Sequence, residues 1–322
     1  MLVSKYIVFT LKFISLMLLF NELVSVSGET KTYVKLPLGR NQTGPEAIAF
    51  DCNGEGPYVG ISDGRVLKWK GPHIGWTTYA VTAPHRPNWC NGLVGSPLEE
   101  VCGRPLGLRF DMMTCELYVA DSSFGLMKVS PEGGIASSLA TIAEGVPFVF
   151  TNGLDVDFVN GIIYFTDTST NYHRWEALEA INNRDQSGRF MKYDIKTREV
   201  TVLLRNLYFA NGVALSKDND FVLVAQTTTG EILKYWLTGY KAGCYEVLLQ
   251  LDGRPDNINR DGKGDFWIAV RLSKSIKINH LGYILETIDG DEIINPSDVS
   301  EFDRRLWIGF VDQPYIYHTK MA

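Results

Sequence analysis

The chain has 322 residues, of which 21% are charged, and a net charge of −6. No lysine/arginine run or basic patch stands out, which argues against nucleic acid as a partner. The glycine count of 30 and the recurrence of short β-rich runs suit an all-β chain with many tight turns.

Residues 1–28 read as a signal peptide. Lys5 supplies the charge, Phe13–Phe20 (FISLMLLF) the apolar stretch, and Ser25 and Ser27 a small-x-small cleavage site followed by Gly28. A spanning helix needs roughly 20 apolar residues. Lys12 interrupts the run and Asn21–Glu22 closes it, so cleavage is the expectation and a retained anchor the alternative. No other segment reads as a membrane span. Residues 29–322 are the expected mature protein, entering the secretory pathway. Asn41 opens the sequon Asn41-Gln42-Thr43 and is the expected glycosylation site, since Asn295 is followed by proline.

There are five cysteines. Cys90 and Cys102 bracket a polar loop (NGLVGSPLEEV) that a disulfide would staple in an oxidising compartment. Cys52, Cys115 and Cys244 read better as free buried thiols. No CxxC or Cys/His zinc spacing is present.

Six segments repeat one pattern of strand, turn and strand. The first strands are PEAIAFD from Pro45, PLGLRFD from Pro105, TNGLDVD from Thr151, ANGVALS from Ala210, PDNINRD from Pro255 and PSDVSEF from Pro296. The second strands carry Tyr58-Val59-Gly60, Tyr118-Val119-Ala120, Tyr164-Phe165-Thr166, Leu223-Val224-Ala225, Trp267-Ile268-Ala269 and Trp307-Ile308-Gly309. Third strands follow at Val66–Trp69, Leu126–Val129, Phe190–Tyr193 and Ile232–Tyr235, each with a lysine at the same place, and more weakly at Ile276–Ile278 and Tyr315–Tyr317. Fourth strands are expected at Thr77–Val81, Arg198–Leu204 and Glu246–Leu251. This spacing predicts a six-bladed β-propeller. The last unit lacks an outer strand, and Thr32–Leu38 has no partner of its own. Donating that segment to the last blade would close the ring and remove an open edge.

Inner strands of a propeller line the central channel, and alternate residues face it. The second residue of each first strand is Glu46, Leu106, Asn152, Asn211, Asp256 and Ser297. Five are polar on strands that are otherwise apolar, and burying them is unfavourable unless they share a partner. Oxygens from Glu46, Asn152, Asn211 and Asp256, with Asn257 beside them, suit a hard cation such as Ca2+. No histidine or thiolate joins them, which disfavours zinc and copper. A water-filled polar channel mouth is the alternative.

At these residues the chain resembles the plant strictosidine synthase-like family. The motifs are GPEAIAFD, GPYVGISDGRVLKW, the Cys90/Cys102 pair followed by GRPLGLRFD, GVPFVFTNGLDVD, IYFTDTST, SGRFMKYD, FANGVALS and LWIG. The resemblance implies a six-bladed propeller, a Cys90–Cys102 disulfide and a vacuolar location, with the endoplasmic reticulum or the extracellular space as alternatives. The family's authentic synthase condenses tryptamine with secologanin, using a glutamate on the sixth inner strand as acid/base. That position is Ser297 here, and serine does not shuttle protons near neutral pH. Asp298 is next to it, but adjacent strand residues face opposite ways.

More distantly, the chain resembles the calcium-dependent propeller hydrolases, the paraoxonases and the gluconolactonase/regucalcin group. PEAIAFD, TNGLDVD, FANGVAL and PDN match their metal motifs, which assigns Glu46, Asn152, Asn211, Asp256 and Asn257 as implied ligands. Asp256 is the implied catalytic carboxylate, assisting attack on a polarised oxygen. The second-blade histidine of paraoxonases is absent, and Leu106 stands there. Arg174–Arg184 (RWEALEAINNR) reads as a short helix, which the resemblance implies caps the channel, with a surface excursion between strands as the alternative; the chain between Arg271 and Gly282 looks shorter than in relatives. The leading expectation is a monomeric calcium-dependent hydrolase of an ester, lactone or phosphotriester, with a small-molecule substrate in the central channel. The alternatives are an alkaloid-type condensing enzyme and a non-catalytic ligand-binding propeller.

Overall fold

Each of the six repeat units is built on an antiparallel sheet of four strands, in sequence order in all but the last, and the six sheets form a six-bladed β-propeller. The computed structural model describes residues 32–321 except 289 and 291. The expected signal segment, residues 1–28, lies outside the described residues. Blade three is representative, with Thr151–Asp157, Ile162–Asp167, Gly188–Asp194 and Val200–Leu207 running from axis to rim. The fourth strands expected in blades one, three and four form at Trp76–Val81, Val200–Leu207 and Tyr245–Gln250. Blades two and five also have them, at Ser137–Ala140 and Ile284–Thr287. Among the described residues, blade one alone carries a fifth, a short parallel addition at Gly134–Ile135.

The N-terminal segment closes the ring as expected. Val34–Pro37 pairs antiparallel with Tyr315–Lys320 and becomes the outer strand of blade six. Trp76 of blade one donates its indole N–H to the Pro37 carbonyl at 2.9 Å, tying this strand to the next blade. At the axis, Ile48 N–H donates to Asp298 Oδ2 at 2.7 Å and Phe310 N–H to the Pro45 carbonyl at 2.9 Å. Phe50 stacks on Phe302 with ring centroids 3.8 Å apart.

Alternating side chains pack the interfaces between neighbouring blades. Leu108 and Phe110 of blade two meet Tyr58 and Val66 of blade one, and Val213 and Leu215 of blade four meet Tyr164 and Phe190 of blade three. Most inner strands end in an aspartate whose side chain closes the following turn. Asp111 Oδ1 accepts from Met113 and Thr114, Asp157 Oδ1 from Val159 and Asn160, and Asp261 Oδ1 from Lys263, Gly264 and Asp265. The recurring third-strand lysine is structural too. Lys128 pairs with Glu116 at 2.6 Å, and blade five adds Lys277, 2.6 Å from Asp261.

The inner strands depart from simple alternation. In blades two to five one extra residue is inserted near the second and third positions, as where Thr151 pairs with Asp167 but Leu154 with Phe165. Such bulges re-aim side chains. They come where backbones crowd around the axis. A Cβ on Gly107 would lie 2.6 Å from the Asn152 carbonyl of the next blade, and one on Gly153 2.7 Å from that of Asn211.

The Cys90–Cys102 disulfide is present, with Cα atoms 5.6 Å apart. The reading of Cys52, Cys115 and Cys244 as free buried thiols is corrected. Cys52 and Cys115 are bonded to each other, and Cys244 is free but exposed. Cys52 and Cys115 lie in the turns that follow the inner strands of blades one and two, and neighbouring blades bring these equivalent turns together. Asn41 sits in a loop with positive φ. No helix among the described residues is long and apolar enough to cross a membrane.

Candidate functional site

The six inner strands begin at one end of the channel. Glu46, Leu106, Asn152, Asn211, Asp256 and Ser297 stand there, none more than 4% exposed. Their polar groups therefore depend on internal partners.

The two asparagines are oriented by the threonines that follow their own second strands. Thr168 Oγ1 gives its one proton to the Ala210 carbonyl at 2.7 Å, so towards Asn152, 3.0 Å away, it can only accept. Asn152 must present Nδ2 to it. Thr227 does the same for Asn211, donating to the Pro255 carbonyl at 2.7 Å and accepting from Nδ2 at 3.0 Å. With the amide nitrogens fixed, Oδ1 of both asparagines is buried without a partner, as is Glu46 Oε2.

The two carboxylates differ in their surroundings. Asp256 Oδ1 accepts from Asn211 Nδ2 at 2.8 Å, and Oδ2 lies 3.9 Å from Arg271 Nη1. Burial pushes Asp256 up to about 6, against the pull of Arg271 and Asn211. Glu46 is raised well above the carboxylate range by burial and then by the charge of Asp256, while Arg104 opposes. Arg104 is itself fully buried. It donates to the Gly44 carbonyl at 2.8 Å and the Val311 carbonyl at 3.3 Å, and burial brings it down to about 10.

Ser297 donates its hydroxyl to the Glu46 backbone carbonyl at 2.9 Å. It joins blade six to blade one and is not free to act as a proton shuttle. Asp298 contradicts simple alternation. It lines an axial cavity of about 20 Å³ together with Gly107, Gly153, Asn257 and Asn259. That is room for about one water-sized body. In blades five and six, Asn257 and Asp298 stand where blades two to four have Gly107, Gly153 and Gly212. The result is a second polar level beneath the first. Burial pushes Asp298 up to about 7. Asn257 Nδ2 is buried there without a partner.

Beside this polar floor is an apolar wall. Leu106 packs with Phe150, Phe209 and Ala180, the two phenylalanine rings edge-on at 5.5 Å. Ala180 belongs to the expected cap, a 3-10 turn at Arg174–Glu176 running into a helix at Ala177–Asn182. Arg174 Nε donates to Glu99 Oε2 at 2.6 Å, locking the cap to the loop held by Cys90–Cys102.

Sequence reasoning missed Thr168, Thr227 and Arg271. All three stand two residues past the second-strand triplet of their blades, so extending the repeat alignment by two positions would have found them. Thr227→Val is expected to destabilise the protein by about 1–3 kcal/mol by leaving buried partners unsatisfied, whereas Thr227→Ser retains most of the stability. Urea unfolding of the two variants tests this, and equal midpoints would remove the positioning role.

Among the described residues, no three His, Cys, Asp or Glu side chains come together. A cation at this mouth would therefore rest on the carboxylates of Glu46 and Asp256 and on amide oxygens. That donor set is suited to calcium.

A six-bladed propeller with a polar floor, an apolar wall and a tethered cap defines the class. Residues 152–240 match the strictosidine synthase family model, and residues 33–69 match the model for the N-terminal part of strictosidine synthase-like proteins. Strictosidine synthase-like protein 10 of Arabidopsis thaliana is 45% identical over 85% of this chain and 84% of its own. Strictosidine synthase-like protein 12 of the same plant is 39% identical over 94% of each. The chain belongs to the strictosidine synthase-like family. Among solved structures, a gluconolactonase from Xanthomonas campestris superposes with a TM-score of 0.68 at 17% identity, covering 91% of this chain and 90% of that one. A calcium-binding regucalcin from Agrobacterium tumefaciens gives 0.62 at 12% identity, over 89% and 95%. At such identities the likeness is one of fold.

Proposed function

We propose that this protein is a calcium-dependent hydrolase of an ester, lactone or phosphotriester. The observation that carries the reading is the set of buried, unpartnered oxygens on Glu46, Asn152 and Asn211 at one repeat-equivalent position, with Asp256 in the same ring. Glu46, Asn152, Asn211 and Asp256 would hold the ion, and Asn257 joins them if its amide turns to present oxygen. Bound calcium would supply a positive charge that polarises the substrate's carbonyl or phosphoryl oxygen. Asp256 is the candidate base. Asn211 holds its Oδ1, which leaves Oδ2 to take a proton from an attacking water as the ester's alkoxide leaves and is reprotonated. Leu106, Phe150 and Phe209 offer an apolar surface to the rest of the substrate and exclude water. Ser297 lacks the acid/base chemistry of the synthase glutamate, so strictosidine formation is not expected. The resemblance and the disulfides support a place in the secretory pathway, with the vacuole first.

The test is hydrolysis of a panel of lactones, aryl esters and phosphotriesters by the purified protein, with calcium and then with chelator. Turnover that disappears on chelation and returns with calcium is expected. Absence of turnover on the whole panel, together with no calorimetric calcium binding, would leave the ligand-binding reading in its place.

A further inference from the structure

The repeat alignment has one member out of character at the channel mouth. Two residues past the second-strand triplets stand Ser62, Ser122, Thr168, Thr227, Arg271 and Val311. Blades three and four use this position to orient an asparagine. Blade five places a guanidinium there, and its side chain is 32% exposed. Its one contact among the described residues is the approach to Asp256 at 3.9 Å, too long for a hydrogen bond.

A second arginine faces it. Arg254 is the cross-strand partner of Arg271, directly opposite in the ladder between the first two strands of blade five. Directly opposite residues project from the same face of a sheet, and like charges there are unfavourable. The Arg254 side chain is only partly buried and makes no hydrogen bond or ion pair among the described residues. The connection after Arg271 is short, residues 272–275, before the next strand begins at Ile276. The Arg271 guanidinium thus stands beside Asp256, and the Arg254 side chain projects from the same face of the sheet, both with donors to spare. An oxyanion between them would remove their repulsion.

We propose that Arg271, backed by Arg254, anchors a carboxylate or phosphate group of the substrate, so that the preferred substrate is an anionic ester or lactone. A guanidinium presents a planar fork of N–H donors that matches two oxygens of such a group. Asp256 is the sole acidic neighbour of Arg271 among the described residues, and a cation bound at Asp256 would free the guanidinium to face the mouth. The proposal rests on the hydrolase reading for its reaction but not for its binding step.

The experiment separates the two. Calcium-loaded protein is titrated calorimetrically with succinate and, separately, with inorganic phosphate. It is also assayed on a matched pair of p-nitrophenyl esters, the hemisuccinate and the neutral butyrate. Arg271→Gln, assayed at saturating calcium, is expected to weaken oxyanion binding about tenfold and to raise KM for the hemisuccinate about tenfold more than KM for the butyrate. Arg271→Lys recovers part of the loss, and the surface change Arg205→Gln has no effect. The tighter of succinate and phosphate names the group. Arg271-dependent binding without hydrolysis of either ester keeps the anchor and sinks the hydrolase. Equal hydrolysis of both esters with no Arg271-dependent binding keeps the hydrolase and overturns the anchor. No saturable binding of either anion also overturns it.

Discussion

Replacing Asp256 by asparagine is expected to abolish most of the calcium-dependent stabilisation of this protein while leaving the calcium-free fold near wild-type stability. The calcium-free part follows from shape and solvation. Asparagine keeps an oxygen for Asn211 Nδ2 to donate to, which preserves the 2.8 Å contact. It also removes a buried charge that burial already disfavours. The partner left behind, Arg271, is 32% exposed and is rehydrated rather than stranded.

The calcium-bound part follows from ligand count. The ring offers two carboxylates, Glu46 and Asp256, and losing one halves the negative charge facing the ion. If the dissociation constant rises about a hundredfold, a calcium concentration of about 1,000 times the wild-type constant becomes about 10 times that of the variant. The stabilisation RT ln(1 + [L]/Kd) then drops from about 4.1 to about 1.4 kcal/mol. For a domain of this size the missing part is about 5 °C in Tm. Asp194 is the control. Its side chain accepts from Lys196 and Thr197 in a surface turn, so Asp194→Asn can lower stability but not its response to calcium. A full calcium shift in Asp256→Asn would place the ion elsewhere and remove Asp256 from the site. In the wild type, Arg271 approaches Asp256 at 3.9 Å before an ion arrives. An ion competes with Arg271 for Asp256, and this competition links metal binding to substrate anchoring.

The blade count was legible because each blade repeats a local signal. The inner strand, its turn aspartate and the aromatic-aliphatic-small triplet recur within a dozen or so residues. Ring closure by Val34–Pro37 was legible from an absence at the other end of the chain. The polar ring was legible as five polar residues at one aligned position. Other features depend on geometry between repeats. Asp298 was placed on the wrong side because alternation was carried back to Ser297, which precedes the paired strand; the regular ladder of blade six begins only at Asp298, opposite Gly309. Cys52 and Cys115 are 63 residues apart and read as separate thiols. They meet only because equivalent turns of adjacent blades are neighbours. Cys90 and Cys102, 12 apart, belong to one loop and were easier to pair. Thr168 and Thr227 escaped notice because threonine in a strand is common. Their role follows from where each hydroxyl proton goes, and that is settled by the carbonyl of the neighbouring blade.

The calcium-free protein is expected to lose stability as pH rises from about 4 to about 7, and calcium is expected to reverse that trend. Burial raises Asp298 to about 7 and Asp256 to about 6, and it raises Glu46, Asp121 and Asp167 as well. A carboxyl whose pKa is higher folded than unfolded binds its proton more tightly in the folded state. Its contribution is complete below the unfolded value near 4 and is lost as pH climbs through the folded value. One unit is about 1.4 kcal/mol, so Asp298 alone accounts for up to about 4 kcal/mol across that window. Asp51, Asp185 and Asp261 work the other way. Hydrogen bonds hold their pKa values down against burial, so their contribution fades as pH falls below 4. The chelated protein should therefore be most stable near pH 4–5. Calcium takes the deprotonated forms of Glu46 and Asp256, so the increment it adds should grow over the range in which the chelated protein weakens. Thermal unfolding between pH 4 and 8, with chelator and with calcium, measures both trends. Asp298→Asn should flatten the chelated profile, because the carboxyl that burial raises to about 7 no longer titrates. A chelated wild type whose Tm is constant or rises from pH 5 to 8 would mean that these carboxyls are already ionised in the folded protein, and the account of the buried axis would be wrong.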